Sequence, residues 1–143
     1  MKLTSHLKLI KNSYFNFTQE TLPLNLNLDL VSAFDLYPLA IASHDNSSEP
    51  LFNYANKAAL ALFKMTTQQM IGLPSKESAP FLNQMERSEL LRQVKEKGFI
   101  KNYQGKRVAS DGSIFHIDDA TVWNLIDENK KYCGQAVVIF KVT

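Results

Sequence analysis

The chain passes from strand straight into helix at Phe52-Asn53-Tyr54-Ala55-Asn56-Lys57-Ala58-Ala59-Leu60-Ala61-Leu62-Phe63. Phe52 to Tyr54 alternate aromatic and polar side chains, the period of a strand with one buried face. From Lys57 onward the residues are Ala and Leu, strong helix formers, and Asn56 stands where a side-chain amide caps a helix. A second helix start follows, with Thr66 and Gln69 at capping-box spacing and Gly72 with Pro74 as its stop. A joint of this kind builds the wall of a cup.

The flanking residues complete the cup. Leu39 to Ser43 reads as a first strand, Asp45 to Pro50 as a polar turn and Leu51 to Tyr54 as the returning strand. A longer helix is expected from Asn83 to Lys97, with Met85, Leu90, Leu91 and Val94 as its apolar stripe and Gly98 as its stop. After Gly98 the period becomes two. Phe99 to Ala109, Ser113 to Ile126 and Tyr132 to Val142 read as three strands, the first two joined by a tight turn at Asp111-Gly112. The expected fold is therefore α+β, with five antiparallel strands crossed by a helical insert.

Upstream of the cup, Leu3, Leu7, Ile10, Tyr14 and Phe17 share one helical face. That face would pack on the chain's own sheet or form a homodimer seam with a second copy. The first is favoured, because a seam needs more heptads than this. Leu22 to Leu30 reads as an extended connector, and Asp29 to Leu36 as a short helix ended by Pro38. The expected organisation is an N-terminal helical cap and connector over residues 1–36 on a cup over 37–143, the two making one structural unit.

Composition excludes several classes. The 143 residues are 45% hydrophobic and 21% charged, enough for one domain with a core of its own. Sixteen basic against 14 acidic residues leave a net charge of +2, too balanced to advertise nucleic acid or an anionic membrane surface. Cys133 is the only cysteine, which removes internal disulfides and multi-cysteine zinc sites. The basic start Met1 to Lys8 lacks an apolar segment of signal-peptide type, and runs such as Ala136 to Phe140 are too short to span a bilayer. A cytoplasmic, reducing setting is the expectation.

In the order of these elements the chain resembles a PAS domain, and in finer detail the MEKHLA domain family, a PAS-like group. The segments that carry the resemblance are Lys11–Tyr14, Ala42–His44, Glu49–Asn56, Leu73–Ser75, Gly98–Ile100, Tyr103–Arg107, Ala120–Leu125 and Gly134–Ala136. The resemblance implies a sensory or regulatory module that holds a small ligand on the inner face of the last three strands and signals through protein interaction. No DNA-binding helix or zipper reads within these residues, so the transcription-factor role of the family's plant members is not carried over.

Strand alternation sorts each of these strands into two sets, and the resemblance to PAS domains implies which set faces inward. The inward set offers Tyr103 and Arg107 from the first of the three strands, and Phe115, Ile117, Asp119, Thr121 and Trp123 from the second. The matching set on the third is Gly134, Ala136, Val138 and Phe140. Arg107 would be a fork for a carboxylate or phosphate, or would pair with Asp119 or reach water at the rim. Trp123 would line the pocket or belong to the core. Asn56 is a candidate contact, though capping its helix is the stronger role.

Cofactors are not assigned. A photoactive flavin domain needs a cysteine in the helical insert, and a haem domain usually takes a histidine there; Lys57 to Lys97 has neither. Noncovalent flavin binding stays open. His6, His44 and His116 are scattered and read as structural or surface residues. Catalytic signals are equally thin: Asp118 and Asp119 are adjacent on a strand and point apart, and Ser43-His44-Asp45 is contiguous, the wrong geometry for a triad. The enzyme alternative is a small cone-shaped isomerase fold with Asp119 buried against Tyr103. The binding alternative without a ligand is a pure dimerisation module with a filled cup.

Overall fold

Leu7, Ile10 and Tyr14 form the buried face of α1 (Leu3–Thr18) in the computed structural model, which describes residues 2–143. Gln19, in the left-handed region at φ 60°, ends the helix. An extended connector leads to α2 (Leu30–Asp35), capped by the Asp29 carboxylate, which accepts from the Ser32 N–H at 2.8 Å. There follow β1 (Ala40–His44), β2 (Phe52–Ala55), α3 (Lys57–Phe63) and α4 (Thr67–Met70). Two 3-10 turns, Ser75–Ser78 and Phe81–Asn83, lead into α5 (Gln84–Lys97). The chain ends with β3 (Phe99–Ile100), β4 (Gly105–Val108), β5 (Ile114–Ile126) and β6 (Tyr132–Val142). Among the described residues no helix is long and apolar enough to cross a membrane.

The strands form one antiparallel sheet in the order β2-β1-β6-β5-β3, with β4 also paired to β5. The α+β expectation holds, with one difference. The strand expected from Phe99 to Ala109 is broken into β3 and β4, because Asn102 takes a positive φ of 58° between them. At the same level the β5–β6 ladder slips, between Ile117 and Asp119 and again between Asp119 and Ala120. The Asn102 amide donates to the Asp119 carboxylate at 3.3 Å across this kink.

Both faces of the sheet are covered. On one side α1 and α2 pack over Ile41, Trp123, Leu125 and Val138. Trp123 is fully buried there: its indole N–H donates to the Ile10 carbonyl at 3.2 Å, and Tyr14 meets its ring edge-on at 4.8 Å. Ser13 fastens the far end of α1 by accepting from the Ile126 N–H at 3.0 Å. The N-terminal stripe is therefore packed against the chain's own sheet. On the other side α3, α4 and α5 close over Ala42, Ile117, Val122 and Ile139.

Asn56 makes the joint between the layers. It is fully buried, and its carbonyl oxygen accepts from the Ala59 N–H and the Ile41 N–H, both at 3.0 Å. Its amide nitrogen donates to the carbonyls of Phe34 at 3.0 Å and Leu39 at 2.9 Å. One side chain thus caps α3 and ties it to β1, α2 and the residue before β1.

Candidate functional site

Between the sheet and α3–α5 lies a cavity of about 70 Å³. A water needs roughly 10–15 Å³ and drug-sized ligands occupy roughly 300–1,000 Å³, so the space suits a few waters or a small organic molecule. Most of its wall is apolar, from Phe52, Phe63, Leu90, Ile117, Val122 and Ile139. The polar wall is concentrated in His44, Ser75, Arg87, Tyr103, Arg107 and Gln135.

These polar groups form a directed chain. Arg87 donates to the Ser75 hydroxyl, which lies 3.0 Å from His44 Nδ1. His44 Nε2 lies 3.1 Å from the Gln135 carbonyl oxygen. The Gln135 amide nitrogen donates in turn to the Leu91 carbonyl at 3.0 Å and to Asn124 Oδ1 at 3.2 Å, and the Asn124 amide donates to the Lys95 carbonyl at 3.2 Å. The Gln135 oxygen can only accept, so His44 Nε2 carries a proton, and in the neutral ring Nδ1 accepts from the Ser75 hydroxyl. Burial, and then the Arg87 charge, push the His44 pKa down to about 4, in accord with that assignment. The chain staples α5 to β1, β5 and β6.

Arg87 and Arg107 set the electrostatics. They are 5% and 8% exposed, and no carboxylate forms an ion pair with either among the described residues. Arg107 donates to the Lys106 carbonyl at 2.7 Å and lies over the Tyr103 ring, 5.4 Å from its centroid. Burial, and then repulsion from Arg107, draw the Arg87 pKa down to about 10, which leaves it charged at neutral pH. The Tyr103 hydroxyl donates to the Glu86 carboxylate at 3.0 Å. A buried charge without a partner costs several kcal/mol, so two side by side are a feature that packing alone does not ask for.

Of the residues proposed from the sequence, Tyr103, Arg107 and Ile117 line this cavity. Phe115 stands behind its wall, edge-on to Phe63 at 5.3 Å. Asp119 and Thr121 lie on the α1 side instead, in an open groove of about 340 Å³ shared with Tyr14 and Phe140. Trp123 is core beneath α1, and Asn56 is wholly engaged in backbone hydrogen bonds. The slip at Asp119 is the cause. Alternation resumes out of phase beyond it, so Ala120, Val122 and Asn124 face the helical insert while Thr121, Trp123 and Leu125 face α1. On β6 Val137 and Ile139 face the cavity and Val138 joins the core beneath α1, while Ala136 belongs to that core and also touches the cavity. Arg107 does not pair with Asp119, and Asp119 does not face Tyr103 as the isomerase alternative requires.

Sequence reasoning read His44 as a structural or surface residue and did not single out Ser75, Arg87 or Gln135. Arg87 had a signal: Arg87, Leu90, Leu91 and Val94 have the helical spacing of one face, so a charge sits on the apolar stripe. Met85, assigned to that stripe, is 87% exposed.

A single antiparallel sheet with a helical insert closing over one face defines a PAS-like domain. The chain belongs to the MEKHLA domain family, whose sequence profile matches residues 4–143. Among curated proteins none matches. Among solved structures the chain is similar to the PAS domain of a protein from Colwellia psychrerythraea, with 20% identity, a TM-score of 0.68, and coverage of 78% of this chain and 92% of that one. It is also similar to a light-oxygen-voltage domain studied with a flavin analogue (18% identity, TM-score 0.66, coverage 82% and 87%). A third is the PAS domain of a LuxR-family transcriptional regulator from Burkholderia thailandensis, in complex with ethanol (18%, 0.60, 78% and 96%). At these identities the likeness is one of fold.

The residues here do not fit the cofactors of such folds. A three-ring flavin exceeds a cavity of about 70 Å³, and the chain's one thiol, Cys133, is not in its wall. His44 is the histidine in that wall, and both its ring nitrogens are engaged, leaving none for a haem iron. Among the described residues no three metal-ligating side chains converge.

Proposed function

We propose that this MEKHLA domain is a noncatalytic sensor that holds a small molecule in the cup and passes the occupied state to a protein partner. The observation that carries the reading is the pair of buried guanidiniums, Arg87 and Arg107, facing a cavity with no carboxylate paired to them. A filled interaction module would have no use for that arrangement. The output would run through the segment joining Ser78 to Arg87, two residues of the cavity wall. That segment exposes Phe81, Leu82 and Met85 by 85%, 91% and 87%, the kind of apolar patch that marks a partner surface. A homodimer through α1 would rely instead on Leu3 and Phe15, because Leu7, Ile10 and Tyr14 are buried against the chain's own sheet. The single cysteine suits a reducing, cytoplasmic setting.

A thermal-shift screen of small molecules tests the reading. Wild type is compared with Ala42→Leu, which grows into the cavity, and with Ala42→Val as the milder step. Compounds that stabilise wild type and lose their effect in both variants support the cup. Compounds that stabilise all three proteins equally, or none at all, contradict it.

A further inference from the structure

We infer that the molecule this cup takes is a small organic carboxylate, its charged end between Arg87 and Arg107 and its apolar body against the Leu90, Ile117 and Ile139 wall. The inference rests on the ligand-binding reading above and names its chemical class.

Charge decides first. Two guanidiniums are buried at one cavity, and each has only neutral partners: the Ser75 hydroxyl for Arg87, and the Lys106 carbonyl and the Tyr103 ring for Arg107. A neutral ligand would take the place of water around two like charges and leave them unpaired, whereas an anion neutralises them and accepts from both forks. Glu86 does not do this in place, because it sits on the exposed side of α5 and takes the Tyr103 hydroxyl.

The rest of the wall decides between anions. Inorganic phosphate would need donors all round. Here the donors gather at one side, and Phe52, Phe63, Leu90, Ile117, Val122 and Ile139 supply apolar surface elsewhere. A compact anion with an apolar tail matches that division. The size of the cavity, about 70 Å³, limits the tail to a few carbons.

Calorimetry on the whole chain tests this with straight-chain monocarboxylates from acetate to valerate, each beside its primary amide, and with inorganic phosphate. At least one carboxylate should bind, with its amide weaker by about ten- to a hundredfold, the worth of a charge-assisted hydrogen bond. Arg107→Gln should lose the same factor. Without ligand it should melt no lower than wild type, since it removes an unpaired buried charge; that control separates lost binding from lost fold. Amide binding equal to the acid, an Arg107→Gln variant that binds normally, or phosphate binding with no carboxylate binding each overturns the inference. If no acid binds but neutral compounds stabilise wild type and not Ala42→Leu, the carboxylate falls and the ligand-binding cup stands. If neither class binds, both fall.

Discussion

Replacing Asn56 tests the joint on which the cup depends. Asn56→Ala removes four hydrogen bonds from a fully buried site. Loss of the α3 cap at Ala59 costs about 1 kcal/mol. The Ile41 N–H, which points at the lost oxygen, becomes a buried donor without a partner, worth about 1–3 kcal/mol. The Phe34 carbonyl keeps a bond from the Tyr37 N–H at 3.3 Å, so its loss is smaller; the Leu39 carbonyl loses its contact with Asn56. The sum is about 3–5 kcal/mol, a large share of the roughly 5–15 kcal/mol that holds a domain together. Asn56→Asp sharpens the test. It keeps both bonds accepted by Oδ1 but sets a carboxylate oxygen against two carbonyls. Its folded pKa is therefore raised, so the penalty is smallest at low pH, where a protonated acid donates to one carbonyl, and grows as pH rises through that pKa. Urea unfolding followed by far-UV circular dichroism at pH 5 and pH 7.5, each variant against wild type at the same pH, reads both effects. A cost below about 1 kcal/mol for Asn56→Ala, or an Asn56→Asp penalty that shrinks as pH rises, would contradict the assignment of Asn56 as a buried four-bond tie.

The polar wall predicts an acid sensitivity. The folded pKa of His44, about 4 against 6.5 unfolded, means stability is fully present above pH 6.5 and falls by about 3 kcal/mol as pH drops from 6.5 to 4. His6, lowered in the same direction by burial, adds to the loss, and His44→Gln should flatten most of the slope in urea midpoints taken across that range. Gly134→Ala places a methyl 2.1 Å from the His44 carbonyl oxygen at a φ of 139°, so it should cost more than about 3 kcal/mol in the same assay. Gly105→Ala collides with the Tyr103 hydroxyl at 2.1 Å; it should displace Tyr103 from the cavity wall and weaken ligand binding, read by calorimetry, more than it lowers the melting temperature. Trp123→Phe loses the bond to Ile10 and leaves a void, about 2–3 kcal/mol, and hydrogen exchange should show α1 opening first.

What was legible in the residues is what local chemistry decides. The α1 stripe, the Asn56 cap and the Thr66–Gln69 capping box, with bonds of 2.9 and 3.2 Å, each involve neighbours within one or two turns. The facing of β5 was not legible, because α1 covers the outer side. Ala120 to Leu125 are all buried, so apolar alternation carries no sign there to tell one face from the other. The slip that sets the phase is made across strands, by Asp119 and Asn102. His44 looked like the end of a strand, and its partners Ser75 and Gln135 lie 31 and 91 residues away in the chain. Arg87 stands as a charge on an apolar helical face, a local mismatch of the kind expected at functional or strained sites.

The most direct test of a ligand held between the two arginines is a ¹H–¹⁵N spectrum of the side-chain Nε–H groups, titrated with the tightest-binding carboxylate. Arg87 and Arg107 should shift together and saturate, along with backbone signals of Leu90 and Ile117, while Glu20 and Thr121 in the outer groove stay still. Shifts confined to the groove, or arginine signals that do not move as the carboxylate saturates, would contradict it.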